Sequence, residues 1–261
     1  VANLIGILYS IVIFLACVLG SIVGLGGGLF VRPIFETIGY HNVLNIAFFS
    51  STAIFTMAAV STVKKLKDGT KFDPKIAILF SLGAVLGGIL GNLFLEHLVQ
   101  IFRSEAQVQM VQIVLTVLVL ILSLILTANK TLRYNIESKW ICLVFGVLLG
   151  SVYTFLGIGG GVLNVPLLMI FFGLAFKEAT AYSIVNILFA HLSRLLTMGL
   201  TLGYSYFDLP VLLYVIPAAA LGGLIGTRLN KAFSESTVKR MFLATVSAMI
   251  ALNVVNGILL I

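Results

Sequence analysis

GLGGGLFVRP, residues Gly24 to Pro33, recurs as GIGGGVLNVP, residues Gly157 to Pro166, and both copies hold four glycines and a proline at identical spacing inside long apolar runs. A continuous membrane helix has no use for such a cluster. Glycines let the backbone break and turn, and a proline fits best near the first turn of the helix that follows. Each copy therefore reads as the breakpoint of a discontinuous helix, and paired breakpoints in two halves of a chain predict a transporter-type binding site.

The surrounding composition fixes the class. Of 261 residues 60% are hydrophobic and only 10% charged, which excludes a soluble globular domain. Apolar runs of about 20 residues separate short charged stretches, the length an α-helix needs to cross a bilayer. The expected fold is an all-α polytopic membrane protein in the plasma (inner) membrane. The net charge of +7 raises nucleic acid as a partner, but the basic residues fall beside predicted helix ends without interleaved polar aromatics. Membrane orientation accounts for them, so the expected partner is lipid and not nucleic acid. Cys17 and Cys142 lie within apolar runs and read as buried small residues, neither a disulfide framework nor metal ligands; no metal or cofactor is expected. The first apolar run lacks a basic leader and a small-residue cleavage site, and reads as a retained helix.

Hydropathy predicts helices at about 4 to 23, 44 to 63, 74 to 96, 107 to 127, 140 to 156, 178 to 198, 208 to 229 and 238 to 259. The stretches from Leu29 to Ile38 and from Val162 to Gly173 would each span roughly 15 to 18 Å, about half of a ~30 Å hydrocarbon core. They read as half-helices.

Self-similarity predicts a duplication. The break residues repeat at a spacing of 133, the distance from Gly24 to Gly157. Phe72-Asp73 returns as Phe207-Asp208, and Gly87, Gly88 and Gly91 return as Gly222, Gly223 and Gly226, at a spacing of 135. The expected organisation is a first transmembrane repeat over 1–127, a cytoplasmic linker over 128–139 and a second repeat over 140–261. Basic clusters at Lys64 to Lys75, at Lys130 to Lys139 and at Arg228 to Arg240 all become cytoplasmic only if the two halves are inverted. Each repeat then holds a glycine-interrupted first helix plus three further membrane helices, with both termini outside.

Half-helices starting in mid-membrane direct unpaired N–H groups and the positive end of the helix dipole at one point, which attracts anions. Small residues also serve close helix packing. Packing is the preferred reading for Gly87, Gly88, Gly91 and their mates. For the GxGGG segments the preferred reading is a site.

GLGGGLFVRPIF and GIGGGVLNVPLL, each followed by a predicted helix holding Ser50 or Ser183, resemble the duplicated signature of the TauE/SafE sulfite exporter family, also called the toluene-sulfonate uptake permease family. The resemblance covers nearly the whole chain. It implies a carrier for sulfite, a sulfonate such as sulfoacetate, thiosulfate or a related sulfur-containing anion. Arg32 stands where mostly apolar residues are expected before the motif proline.

The expected substrate-binding set follows from the motifs: Gly24, Gly26, Gly27, Gly28, Arg32 and Pro33 in the first, and Gly157, Gly159, Gly160, Gly161, Asn164 and Pro166 in the second. Ser50, Ser51, Thr52, Ser183 and Asn186 are candidate hydrogen-bond donors to an oxyanion, or partners of a neighbouring helix. Arg194 lies well inside a predicted helix, with His191 three positions earlier on the same face. A cation there is costly and faces a cavity or a partner. Its functional reading is neutralisation of substrate charge with His191 as donor or proton carrier; its structural reading is a snorkelling or helix-tying arginine. All nine carboxylates fall at predicted helix ends or connections, so no mid-membrane acid is expected as a relay. With no nucleophile–base pair and no metal-ligand cluster, no enzyme is expected. The reading is a secondary carrier working by alternating access, the alternatives being an anion channel and a membrane-embedded sulfur-delivery protein or enzyme.

Overall fold

A computed structural model describes residues 2–70, 72–101, 105–129, 134, 136, 138, 140–156 and 161–259. Ten α-helices follow in order: α1 (Ala2–Val23), α2 (Gly28–Ile38), α3 (Val43–Lys67), α4 (Pro74–Ile101), α5 (Glu105–Ala128), α6 (Trp140–Leu156), α7 (Asn164–Phe172), α8 (Phe176–Leu202), α9 (Leu212–Ala232) and α10 (Glu235–Leu259). There is no strand among the described residues. Seven helices are long and apolar enough to cross a membrane, and Trp140–Leu156 is shorter. Large apolar side chains such as Leu4, Leu118 and Leu213 are exposed on the outside of the bundle, which suits hydrocarbon and not water.

Expected and observed boundaries differ mainly where polar ends prolong helices. α3 runs on through Lys64, Lys65 and Lys67, whose charges complement the helix C-terminus. α4 continues to Ile101, so residues 97–101, expected to be a connection, are helical. Residues 204–206 and 209–211 form 3₁₀ turns, and α9 begins only at Leu212.

Both short helices end on glycine. α2 ends at Gly39, left-handed at φ +67, whose N–H bonds the Phe35 carbonyl. α7 ends at Gly173, also left-handed at φ +65. A left-handed residue just past the last turn is a stable helix stop that glycine reaches without strain. Pro166 lies in the first turn of α7, as expected. Pro33 does not: α2 begins at Gly28, and the proline falls in its second turn. The missing N–H there leaves the Leu29 carbonyl without its helical donor.

The helices meet at two distinct ends. At one, Lys231 Nζ of α9 lies 3.5 Å from Asp68 Oδ1 beyond α3. There Lys177 Nζ of α8 donates to the Phe233 carbonyl at 2.8 Å, and the Tyr134 N–H of the linker donates to Ile170 O near the end of α7. At the other end, His41 Nε2 lies 3.3 Å from Asp208 Oδ2. The basic stretches at the ends of α3 and α9 thus share one end of the bundle with the described part of the linker.

Between these ends, α4 packs most extensively on α6 and α1 on α9. Glycine makes both contacts possible. A side chain at Gly87 would strike the Val147 carbonyl of α6, and one at Gly222 would lie 2.8 Å from the Phe14 carbonyl of α1. Gly91 and Gly226 are equally tight against Ser151 and Val18, whereas Gly223 faces Met57 of α3 and Gly88 has ordinary clearance.

Candidate functional site

α1 closes its last turn on Gly20, whose carbonyl accepts from the N–H groups of Gly24 and Leu25 at 2.9 and 3.0 Å. The chain then reverses. Gly24 is left-handed at φ +76, and a Cβ on it would stand 2.7 Å from Thr180 Cβ of α8. Gly27 is not left-handed: it caps α2 at φ −56. Its constraint is proximity, since a Cβ there would lie 2.8 Å from the Ala16 carbonyl. α2 therefore starts beside Ala16, about 10 Å short of the end of α1 at 1.5 Å per residue. Gly24 to Leu29 are all buried. This is a half-helix whose N-terminus lies inside the bundle.

A cavity of about 310 Å³ opens beside that N-terminus. α2 contributes Gly28, Leu29, Arg32, Pro33, Glu36 and Thr37, so the space follows the helix from its buried start toward the His41 end of the bundle. α5 contributes Gln109, Gln112, Ile113 and Thr116; α10 contributes Asn253 and Asn256; Leu156 ends the wall of α6. Arg32 Nε donates to Glu36 Oε1 at 2.8 Å across one turn of α2, both side chains about one-quarter exposed. Gln112 Nε2 donates to the Phe155 carbonyl at 2.7 Å and ties α5 to the last turn of α6. The cavity thus presents the start of a helix, a guanidinium and several carboxamides, all donors suited to an oxyanion.

At the second break the described residues begin with Gly161. Gly161 is left-handed at φ +97, and a Cβ on it would stand 2.9 Å from the Gly24 carbonyl, so the two breaks touch. The Leu163 N–H at the start of α7 donates to the Tyr153 hydroxyl at 2.7 Å, while Ser123 Oγ of α5 donates to the Val162 carbonyl at 2.7 Å. Asn164 is fully buried; its Nδ2 donates to Asn186 Oδ1 at 3.0 Å, and Asn186 Nδ2 donates to the Phe80 carbonyl at 3.0 Å. Ser183 Oγ donates to the Gly24 carbonyl at 2.7 Å. Asn164 Oδ1 is buried with no hydrogen-bond partner.

The expected site residues are therefore distributed over three places. Gly28, Arg32 and Pro33 line the cavity. Ser50 stands behind Gly28, 3.1 Å from where a Cβ would be. Gly24, Gly26 and Gly27 form the buried reversal that leads to it. Gly161, Asn164, Ser183 and Asn186 belong to the lock on the second break, with Pro166 buried in α7 beside it. Thr52 Oγ1 bonds its own helix at Phe48 O, and Ser51 Oγ is buried without a partner. Gly157, Gly159 and Gly160 lie outside the described residues. Arg194 is half-buried on α8 and His191 is buried one turn before it. Arg194 does not line the cavity, but its guanidinium interacts electrostatically with that of Arg32. Cys17 and Cys142 are both free and buried.

Glu36 falls in the last turn of α2, the helix-end position expected of a carboxylate, and from there it lines the cavity and holds Arg32. Sequence reasoning also passed over the wall opposite α2. Gln109, Gln112 and Thr116 recur at helical spacing, as do Asn253 and Asn256, so each set shares a face. Carboxamides on one face of an otherwise apolar helix are a readable signal of a polar cavity.

The family model for Sulfite exporter TauE/SafE matches residues 9–253. Among curated proteins, the probable membrane transporter protein MamO of Paramagnetospirillum magneticum is 32% identical over 120 residues, 44% of this chain and 19% of that protein. Its counterpart in Magnetospirillum gryphiswaldense is 31% identical over 110 residues, 40% of this chain and 17% of the relative. The matched region is thus less than one-fifth of either relative's length. No solved structure matches the chain.

Proposed function

Because the chain belongs to the TauE/SafE family of membrane transporters, we propose that it is a secondary carrier of small sulfur-containing oxyanions in the plasma (inner) membrane. The observation that carries this reading is the cavity at the start of α2, where Arg32 and the carboxamides of α5 and α10 surround a helix N-terminus. Sulfite, thiosulfate and sulfonates share a pyramidal or tetrahedral array of oxygens that such donors match.

Alternating access of two inverted halves is the proposed mechanism. In support, exchanging α1–α5 for α6–α10 maps the pairing of α1 with α9 onto that of α6 with α4, and the contact of α2 with α3 onto that of α7 with α8. The cavity extends toward the end that holds His41, and its lining starts at Gly28, a few residues beyond Gly24 of the first break. A carrier must open a path past the contact of Gly161 with the Gly24 carbonyl while closing the mouth; the hydrogen bond from Ser183 to Gly24 is a joint that would part. The burial of both thiols disfavours a sulfur-delivery enzyme.

Purified protein in vesicles supplies the test. Uptake of radiolabelled sulfite or thiosulfate should saturate with concentration and be lost in Arg32→Ala. A linear, current-carrying flux would sink the carrier reading, and indifference to Arg32 would move the site elsewhere.

A further inference from the structure

The cavity holds its own competitor. Arg32 is already occupied at 2.8 Å by Glu36, and both residues line the space that an anion would enter. Among the described lining residues these are the only charged groups. α5 and α10 bring carboxamides and the hydroxyl of Thr116, and α6 brings Leu156. Arg194 of α8 interacts electrostatically with Arg32. On α1, Tyr9 stacks against Phe35 with ring centroids 3.7 Å apart and places its hydroxyl 3.0 Å from His41 Nδ1. On α3, Ser50 backs Gly28.

Resting on the carrier reading above, we propose that Glu36 is the exchange carboxylate of this site, displaced from Arg32 by the incoming anion and protonated from the open side as it leaves. The physical chain is short. A carboxyl group that loses its guanidinium partner while a second anion arrives beside it is driven toward the neutral acid. Arg32 cannot give up a proton, so it keeps its charge throughout. The proton comes from water in the cavity mouth and ends on a Glu36 carboxyl oxygen. Each anion bound therefore brings up to one proton, so the cavity becomes more negative by less than the anion's own charge. Release on the far side reverses both steps. Glu36 thereby supplies a coupling acid within a site whose membrane helices otherwise bring no acid to the cavity wall.

Calorimetry on the full purified chain in detergent tests this directly. Thiosulfate, sulfite and methanesulfonate are titrated at about pH 6, above the ordinary glutamate range, in two buffers of different ionisation enthalpy. Thiosulfate and methanesulfonate keep their charge at that pH, so any proton uptake belongs to the protein. The wild type should take up a measurable fraction of a proton per anion and bind more weakly as pH rises. Glu36→Gln should bind several-fold tighter, take up none and lose the pH dependence; the control Thr201→Val, away from the cavity and with its hydroxyl bonded to its own helix, should behave as wild type. Anion binding by the wild type without proton uptake overturns the Glu36 role and leaves the carrier reading standing, and needs no variant to fold. Equal proton uptake by Glu36→Gln also overturns it. If none of the three anions binds the wild type, the anion-site reading fails, and the exchange carboxylate fails with it.

Discussion

Ser183 Oγ donates to the Gly24 carbonyl at 2.7 Å, so a side chain of α8 closes on the backbone break that follows α1. The pair ties the first glycine motif to α8. Gly24 needs its left-handed φ of +76 to present that carbonyl, and Thr180, one turn before Ser183 on α8, fills the space a Cβ would take. Two neighbouring positions of one helix thus hold one glycine from two sides.

Ser183→Ala should therefore act on the joint and not on the cavity. Leaving a buried carbonyl without its donor costs about 1 to 3 kcal/mol, so the melting temperature in detergent should fall by several degrees. Anion affinity should stay within about twofold, because Ser183 does not line the cavity. A loss of affinity at unchanged stability would make Ser183 a substrate ligand instead.

Topology is tested from the three basic stretches. On a background of Cys17→Ala and Cys142→Ala, single cysteines at Lys67, Thr131 and Lys231 should react only from the cytoplasmic side, and transport should persist because both native thiols are buried. The ion pair of Lys231 with Asp68 already brings the first and third of these positions to one end. External labelling at Lys231 with internal labelling at Lys67 would disprove the inverted halves.

Much of this arrangement is legible in the sequence, and the failures are instructive. The first break and the short helices α2 and α7 follow from glycine chemistry and helix length, which are local. Pro33 misleads because a proline tolerated in the second turn looks the same in sequence as one in the first; only the helix start at Gly28 separates them. Glu36 reads as a helix end because it is one, and its role arises from α5 and α10 packing alongside α2. Ser183, Asn164 and Asn186 read as oxyanion donors because their chemistry permits it. Their commitment to Gly24, to each other and to Phe80 depends on long-range packing that no local spacing encodes.

The two arginines should separate by role. Arg32→Ala removes a group that lines the cavity and should abolish anion binding, whereas Arg32→Lys should recover part of it, since an ammonium cannot offer the bidentate fork of a guanidinium. Arg194 does not line the cavity, so Arg194→Ala should weaken binding by about tenfold, the scale of 1.4 kcal/mol, rather than abolish it, with membrane insertion intact. Parent-rate transport by Arg194→Ala at saturating and subsaturating substrate would return that residue to a structural role.

Gly27 and Gly28 provide the sharpest test of the break itself, because adjacent glycines face different things. A Cβ on Gly27 would meet the backbone of α1 at Ala16, 2.8 Å from its carbonyl oxygen, and backbone cannot step aside. Gly27→Ala should therefore destabilise the hairpin by the few kcal/mol typical of overpacking and reduce the yield of folded protein. A Cβ on Gly28 would instead meet the tip of the Ile54 side chain and, at 3.1 Å, Ser50 Oγ, and a methyl-bearing side chain can rotate away. Because Gly28 also lines the cavity, Gly28→Ala should cost little stability yet lower anion affinity by reshaping the N-terminus of α2. Thermal melts and anion titrations on both variants decide the matter. Should Gly28→Ala bind thiosulfate and sulfite with parent affinity while Arg32→Ala does not, the guanidinium alone makes the site and the start of α2 is only its scaffold.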